Sequence, residues 1–363
     1  MTQNAESLAS SGTDEVTDSD LEEALRYVGV TIPSEHYNTC ASHDAIRHFA
    51  MAIADDNPLW VDEEYARKTR WGGIIAPPSF LMSVNNGAAT AGLKGMLRLA
   101  ASWDIHYTEP VRVGTQFQTS TTIVDAALVE RTRGGRMIRH TAETHYRDRD
   151  GRLLARGWCD SFRLPMKGGS SVGYVPRQPE YTSEEIGDIE TQILAETRRG
   201  AERLLPNEIK IGDTLGQVVK GPISLVDQLC WYAAYSMIAF GGWPLESAVR
   251  KRDQTDVRDL QLQHAAKTHS DMARQVGMPG IWVSSPAVFS WFVQLLTNWH
   301  GDDGFLRRIR LAVRRPVVLG DTVWCTGLVK AIDGINVECE LRGTNQIGEE
   351  VVHAAAWVEL PRG

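Results

Sequence analysis

Apolar and polar positions along the chain form one pattern that occurs twice, in the same order. Phe80, Leu81, Val84 and Ala88 recur at helical spacing in the first half, and Val288, Phe289, Phe292, Leu295 and Leu296 do so in the second. Each helix candidate is followed by strand-like sequence. In "DIHYTEPVRVGTQFQTSTTIVDA" Pro110 stands four residues before Gly114, and in "IRLAVRRPVVLGDTVWCTGLVKA" Pro316 stands four residues before Gly320. The residues after each glycine alternate or are β-branched, as in strands. Both copies then pass through a polar turn into a further strand pair, ending at Pro165 and Pro361. A helix that is apolar on most faces, followed by an antiparallel meander long enough to wrap it, predicts an α+β module present in duplicate.

The flanking composition divides the chain. Residues 1–20 are polar, acidic and rich in Ser and Thr, which predicts a disordered tail. The first module then spans 21–165. Residues 166–200 read as a linker carrying a short charged helix, "TSEEIGDIETQILAETRRG", and the second module spans 201–363. It contains an extra polar segment at about 241–263, a binding loop or plain decoration. Within the first module Ser42 is placed to cap a helix whose apolar face is Ile46, Phe49, Ala50 and Ile53.

A net charge of -8 offers no basic surface for nucleic acid or an anionic membrane. The local run of Arg131, Arg133, Arg136 and Arg139 reads as a solvated face, with a phosphorylated cofactor as the sharper alternative. Five cysteines without a CxxC pair suggest neither a disulfide framework nor a zinc site, and fit a reducing compartment. No leader-like segment and no run near the ~20 apolar residues of a membrane span occur, so a cytoplasmic protein is expected. No phosphate loop, nucleophile elbow or metal-ligand constellation is present, and no metal is predicted.

Candidate chemistry begins at "ADDNPLWVDEEYA". This segment resembles the Gly-Asp-x-Asn-Pro-Leu-His pattern of the MaoC-like acyl-thioester hydratases and dehydratases, supplying Asp55, Asn57, Pro58, Leu59 and Asp62. Trp60 stands where that family has its histidine. The resemblance implies a tandem, or double, hot-dog fold, with sheets paired side by side. It further implies that an aspartate and a histidine together activate a water that adds across a 2,3 double bond. The segment "GGIIAPPSF" resembles the family's Gly-x-Ile-x-Pro-Gly, whose final N–H binds the thioester oxygen. Pro78 occupies that place and has no N–H. The first pocket is therefore expected to be structural or acyl-accommodating.

In the second module, "HAAKTHSDMARQVGMPGIWVSSPAVF" matches His-x-Asp and the following Ala at His269, Asp271 and Ala273. The resemblance makes His269 the candidate acid or base, with His264 standing where the aspartate is expected. Asp271, or Asp253, Asp256 and Asp259 of the inserted segment, are candidate carboxylate partners. Gly277 and Gly280 lead toward the helix, and counting from Gly280 as from Gly73 puts Ser285 opposite Pro78, so an oxyanion donor is available there. His106 and His300, near the starts of corresponding strands, read as satisfied polar residues. Most of the aromatics around the second helix read as core; Trp60 and Trp243 are candidates for lining an acyl tunnel.

The implied activity is hydration or dehydration of an acyl-CoA thioester, with CoA as part of the substrate and no separate cofactor. The alternatives are a non-catalytic acyl-CoA-binding subunit of a heteromeric dehydratase and, behind it, a thioesterase. A homodimer or a hot-dog partner subunit is a further expectation.

Overall fold

The computed structural model describes residues 15–32, 38–88, 91–93, 95–131, 135–165, 180–235 and 266–363. The first half runs α1 (Asp18–Leu25), β1 (Thr31–Ile32), α2 (His43–Ala52), α3 (Pro58–Val61), α4 (Glu63–Lys68) and α5 (Leu81–Val84), the last entered through a 3-10 turn at Pro78–Phe80. Four long strands follow: β2 (Met96–Tyr107), β3 (Phe117–Glu130), β4 (Arg136–Asp148) and β5 (Leu153–Pro165). After α6 (Ser183–Leu194) the second half repeats the plan. It comprises β6 (Thr214–Lys220), α7 (Leu225–Tyr235), α8 (Ser270–Gln275), α9 (Ser285–His300), β7 (Phe305–Val313), β8 (Val323–Asp333), β9 (Asn336–Asn345) and β10 (Glu350–Glu359).

Among the described residues the ten strands form one sheet in the order β1-β3-β4-β5-β2-β7-β10-β9-β8-β6. Read from its centre outward, each half gives the same succession, so the sheet is two hot-dog units joined edge to edge. The joint is antiparallel β2 on β7, pairing Trp103 with Leu311, Asp104 with Arg310 and Ile105 with Ile309. The displacement that carries Pro110 onto Pro316 also carries Asp104 onto Arg310. A local twofold therefore passes through that pair, exchanging its two neighbours. Across the seam the Asp104 carboxylate accepts from Arg308 Nε at 2.8 Å and from a second guanidinium nitrogen at 2.5 Å.

The repeated Pro-to-Gly spacing has a backbone reason. Gly114 and Gly320 both take left-handed conformations, with φ +86° and +91°, at the turn before the second long strand of each half. Beneath the sheet, α9 is buried from Pro286 to His300, and one apolar core runs through both halves. Phe289 of α9 meets Trp103 of the first half with ring centroids 6.0 Å apart, while Phe49 of α2 meets Trp231 of α7 at 5.6 Å.

Two expectations need correction. The first central helix does not reach Ala88 but ends at Val84, because side chains from β2 and β4 capture its next carbonyls. Tyr146 Oη donates to the Asn85 carbonyl at 2.6 Å and Trp103 Nε1 to that of Asn86 at 2.8 Å. The Asn85 side chain then takes the Gly87 N–H at 2.9 Å. The segment expected as a tail to residue 20 becomes helical at Asp18. Thr17 and Asp20 form a capping box there, and Arg136 of β4 pairs with Asp18 at 2.9 Å.

Candidate functional site

The Ser42 hydroxyl accepts from Ala45 N–H and starts α2, which delivers the chain to Asp55. Asp55 is 2% exposed, and both its oxygens are engaged. One accepts from the Asn57 N–H at 3.1 Å and the other from Trp60 Nε1 at 2.9 Å. Burial still raises the Asp55 pKa, against the lowering effect of these bonds. The Asn57 side chain caps α3 through Leu59 N–H at 3.0 Å, and Lys220 Nζ donates to the Ile53 and Ala54 carbonyls. Trp60 thus satisfies the aspartate but cannot exchange a proton as an imidazole does. The arrangement braces a turn.

Trp60 and Pro78 line a cavity of about 40 Å³ with Asn57, Tyr107 and Phe305. Such a space is suited to water rather than to an acyl chain. Trp60, expected to line an acyl tunnel, instead helps to close this one. His300 also lines it. Contrary to expectation it is the last residue of α9 rather than a strand start, and burial drives its pKa down to about 4. Its Nδ1 donates to the Gly301 carbonyl at 2.7 Å, while its buried Nε2 and the Tyr107 hydroxyl have no hydrogen-bond partner among the described residues. His106 lies near the end of β2, not its start, 3.2 Å from Asp104.

A second cavity, of about 620 Å³, is the symmetry equivalent of the first. With the registers that match Gly73 to Gly280 and Pro110 to Pro316, Ala76, Pro78 and Leu81 of the small cavity correspond to Val283, Ser285 and Val288 of the large one. Tyr107, Pro110 and Val111 likewise correspond to Val313, Pro316 and Val317. The frames match and the fillings differ. Trp71, Phe305 and Leu306 on the small side are replaced by Met278, Leu99 and Ala100 on the large side. The end of α9 also reaches into the small cavity through Thr297 and His300, whereas the shorter α5 contributes no lining residue to the large one among the described residues.

Ser285 is half-buried at the first position of α9, where a backbone N–H has no intrahelical acceptor and the 16-residue helix adds partial positive charge. Arg131, Arg314 and Arg315 also line this cavity, together with Glu130 and Glu350. Of the arginine run, Arg136 pairs with Asp18 and Arg139 with Asp125 at 2.6 Å, while Arg131 belongs to the cavity; Arg133 lies outside the described residues.

His269 is exposed at the start of α8, with Nδ1 2.9 Å from the Thr268 hydroxyl. Asp271 is not its carboxylate partner. That side chain is 90% exposed and pairs with Arg274 at 2.9 Å, as spacing along one helix favours. Nor is His269 brought together with Ser285 among the described residues lining the large cavity. Gly280 lies between α8 and α9, and a Cβ there would meet nothing within 4 Å. His264, Trp243, Asp253, Asp256 and Asp259 fall outside the described residues. Leu99, Ala100 and Met278, which widen the cavity, were missed by motif reading. Aligning the two halves residue by residue was the signal that would have found them.

The sequence profile described as the FAS1-like dehydratase domain region matches residues 26–156. A Streptomyces griseus protein named UPF0336 is 34% identical over 105 residues, covering 27% of this chain and 69% of that one. A Streptomyces avermitilis protein of the same name is 33% identical over 98 residues, covering 25% and 64%. The chain thus spans about two thirds of the length of these relatives, whose name assigns no activity. A solved structure of a MaoC-like dehydratase superposes with a TM-score of 0.67 at 13% identity, over 92% of this chain and 99% of that one. The chain belongs to the family of these UPF0336 proteins, and its fold is that of the MaoC-like dehydratase. The MaoC-like fold is shared with a Mycobacterium tuberculosis protein described as a double hot-dog, with TM-score 0.55, 12% identity and coverage of 92% and 96%. Among the described residues no helix is long and apolar enough to cross a membrane.

Proposed function

We propose that this MaoC-like protein binds an acyl-CoA thioester in the large cavity, with the thioester oxygen at Ser285 N–H, and that the small cavity is non-catalytic. The observation carrying this reading is that two symmetry-equivalent pockets differ about fifteenfold in volume, the larger keeping an N–H where the smaller has a proline. A mostly apolar pocket of this size, with a backbone donor at a helix start and charged groups among its lining residues, is suited to an acyl thioester. Hydration of a 2,3-enoyl thioester needs in addition a group that moves a proton. Asp55 is tied to Trp60, and His269 stands exposed. Binding is therefore the better supported half of the chemistry.

Hydration by His269 is the second reading, favoured by Ser285 itself. A donor at a helix start is worth most where negative charge develops on the bound oxygen. Titration calorimetry with saturated and 2,3-unsaturated acyl-CoA, alongside the absorbance of the conjugated thioester, separates the two. We expect binding of both esters, weakened in Ser285→Pro, with no release of free CoA. Hydration abolished by His269→Ala makes the chain an enzyme in its own right. Binding without hydration makes it the acyl-holding member of a heteromeric dehydratase. A wild-type protein that binds neither ester sinks the proposal.

A further inference from the structure

We infer that Leu99, Ala100 and Met278 set the acyl specificity of the large cavity, and that it takes large acyl groups rather than short ones. This rests on the reading of that cavity as the thioester site. In the small cavity the equivalent places hold Phe305, Leu306 and Trp71, and that pocket has room for little more than water. The same backbone frame with three smaller residues holds about 620 Å³. Side-chain size at these places, together with the reach of α9, therefore decides what fits.

Local geometry strengthens the point. In a regular strand neighbouring residues face opposite sides. The β2–β5 ladder shifts register between Ala100 and Ser102, and Leu99, Ala100 and Ala101 all line the cavity in succession. The bulge thus turns a run of small side chains toward one space. Met137 of β4, with Phe162 and Leu164 of β5, adds further apolar wall, contributed by the other half of the chain from Ser285. A four-carbon acyl group held at Ser285 would leave most of this space without apolar contacts, which forfeits dispersion energy and burial. An acyl group on the order of ten carbons or more fills it, within the size range of pockets that enclose drug-sized ligands.

The test copies the closed half into the open one. Butanoyl-CoA and dodecanoyl-CoA are titrated into the wild-type chain and into Ala100→Leu, Ala100→Val, Leu99→Phe and Met278→Trp, with thermal melting as the check on folding. Ala100→Val is the mild member, kept for the case where a larger residue prevents folding. The wild type is expected to bind the twelve-carbon ester at least about tenfold more tightly than the four-carbon one, since each buried methylene adds affinity. The variants should lose about tenfold or more toward dodecanoyl-CoA, graded from Val to Leu, and stay within about threefold toward butanoyl-CoA. Equal wild-type affinity for both esters, or equal losses in the variants, overturns the inference while leaving the thioester site intact. Binding of neither ester by the wild type instead brings down the site assignment itself.

Discussion

The cavity beside Pro78 holds about 40 Å³ and the one beside Ser285 about 620 Å³, although equivalent strands and equivalent helix starts frame both. In the first half the motif aspartate survives, but both its oxygens are spent on Trp60 and a backbone N–H. In the second half that aspartate position is His264, and the helix start carries Ser285, which has a backbone N–H, where the first half has Pro78. The difference teaches that the family's frame is held by strand pairing and by the glycine turns at 114 and 320. What a pocket does is decided by a handful of residues that the frame tolerates in either form.

The largest break in that comparison is expected from Trp60→Ala. It empties a closed pocket and strips Asp55 of a donor, and should cost roughly 3–5 kcal/mol in denaturant unfolding. A loss under about 1 kcal/mol would show that Trp60 does not brace the first half. Acid should act next. His140 and His300 are buried and held near a pKa of about 4, below the usual histidine value of 6.5. The unfolded chain binds protons more readily in that interval. Stability present above pH 6.5 is therefore lost as pH falls from about 6.5 toward 4, by roughly 3 kcal/mol for each imidazole. Stability curves of His300→Gln should be flatter there, and unchanged slopes would contradict the burial argument.

Ser285→Pro makes the second helix start resemble the first. Acyl-CoA affinity should fall about tenfold, with any hydration rate falling by about a hundredfold. A variant that binds as well as the parent would remove the N–H from the site. The smallest effect is expected from Asp271→Ala. The exposed pair with Arg274 is worth at most about 0.5 kcal/mol, and acyl-CoA binding should not change.

Much of the fold was legible in the chain because its signals are local. The Pro110-to-Gly114 and Pro316-to-Gly320 spacings report backbone turns that need left-handed glycines, and Ser42 caps the helix that its pattern announces. The end of the first central helix was not legible. It is set by Tyr146, 61 residues from the Asn85 carbonyl it engages, and by Trp103 of the next strand, 17 residues from that of Asn86. In the site, the register brought out Asp55, Trp60, Pro78 and Ser285. It left Asp271 as a candidate partner because a carboxylate two residues from a histidine looks the same whether it turns inward or, as here, pairs along its own helix surface. The cavity widths stayed hidden because each pocket is walled partly by the other half, and Leu99 gives no local sign of standing where Phe305 stands opposite.

The seam between β2 and β7 has a consequence for how such a pair of sites can change over time. In an assembly of two identical chains, any replacement is written into both pockets at once, so filling one with tryptophan fills its twin. Here the two units share one polypeptide and are paired through Asp104 and Arg310. Each position around one pocket is encoded separately from its counterpart, so a replacement that fills one pocket leaves the other its space.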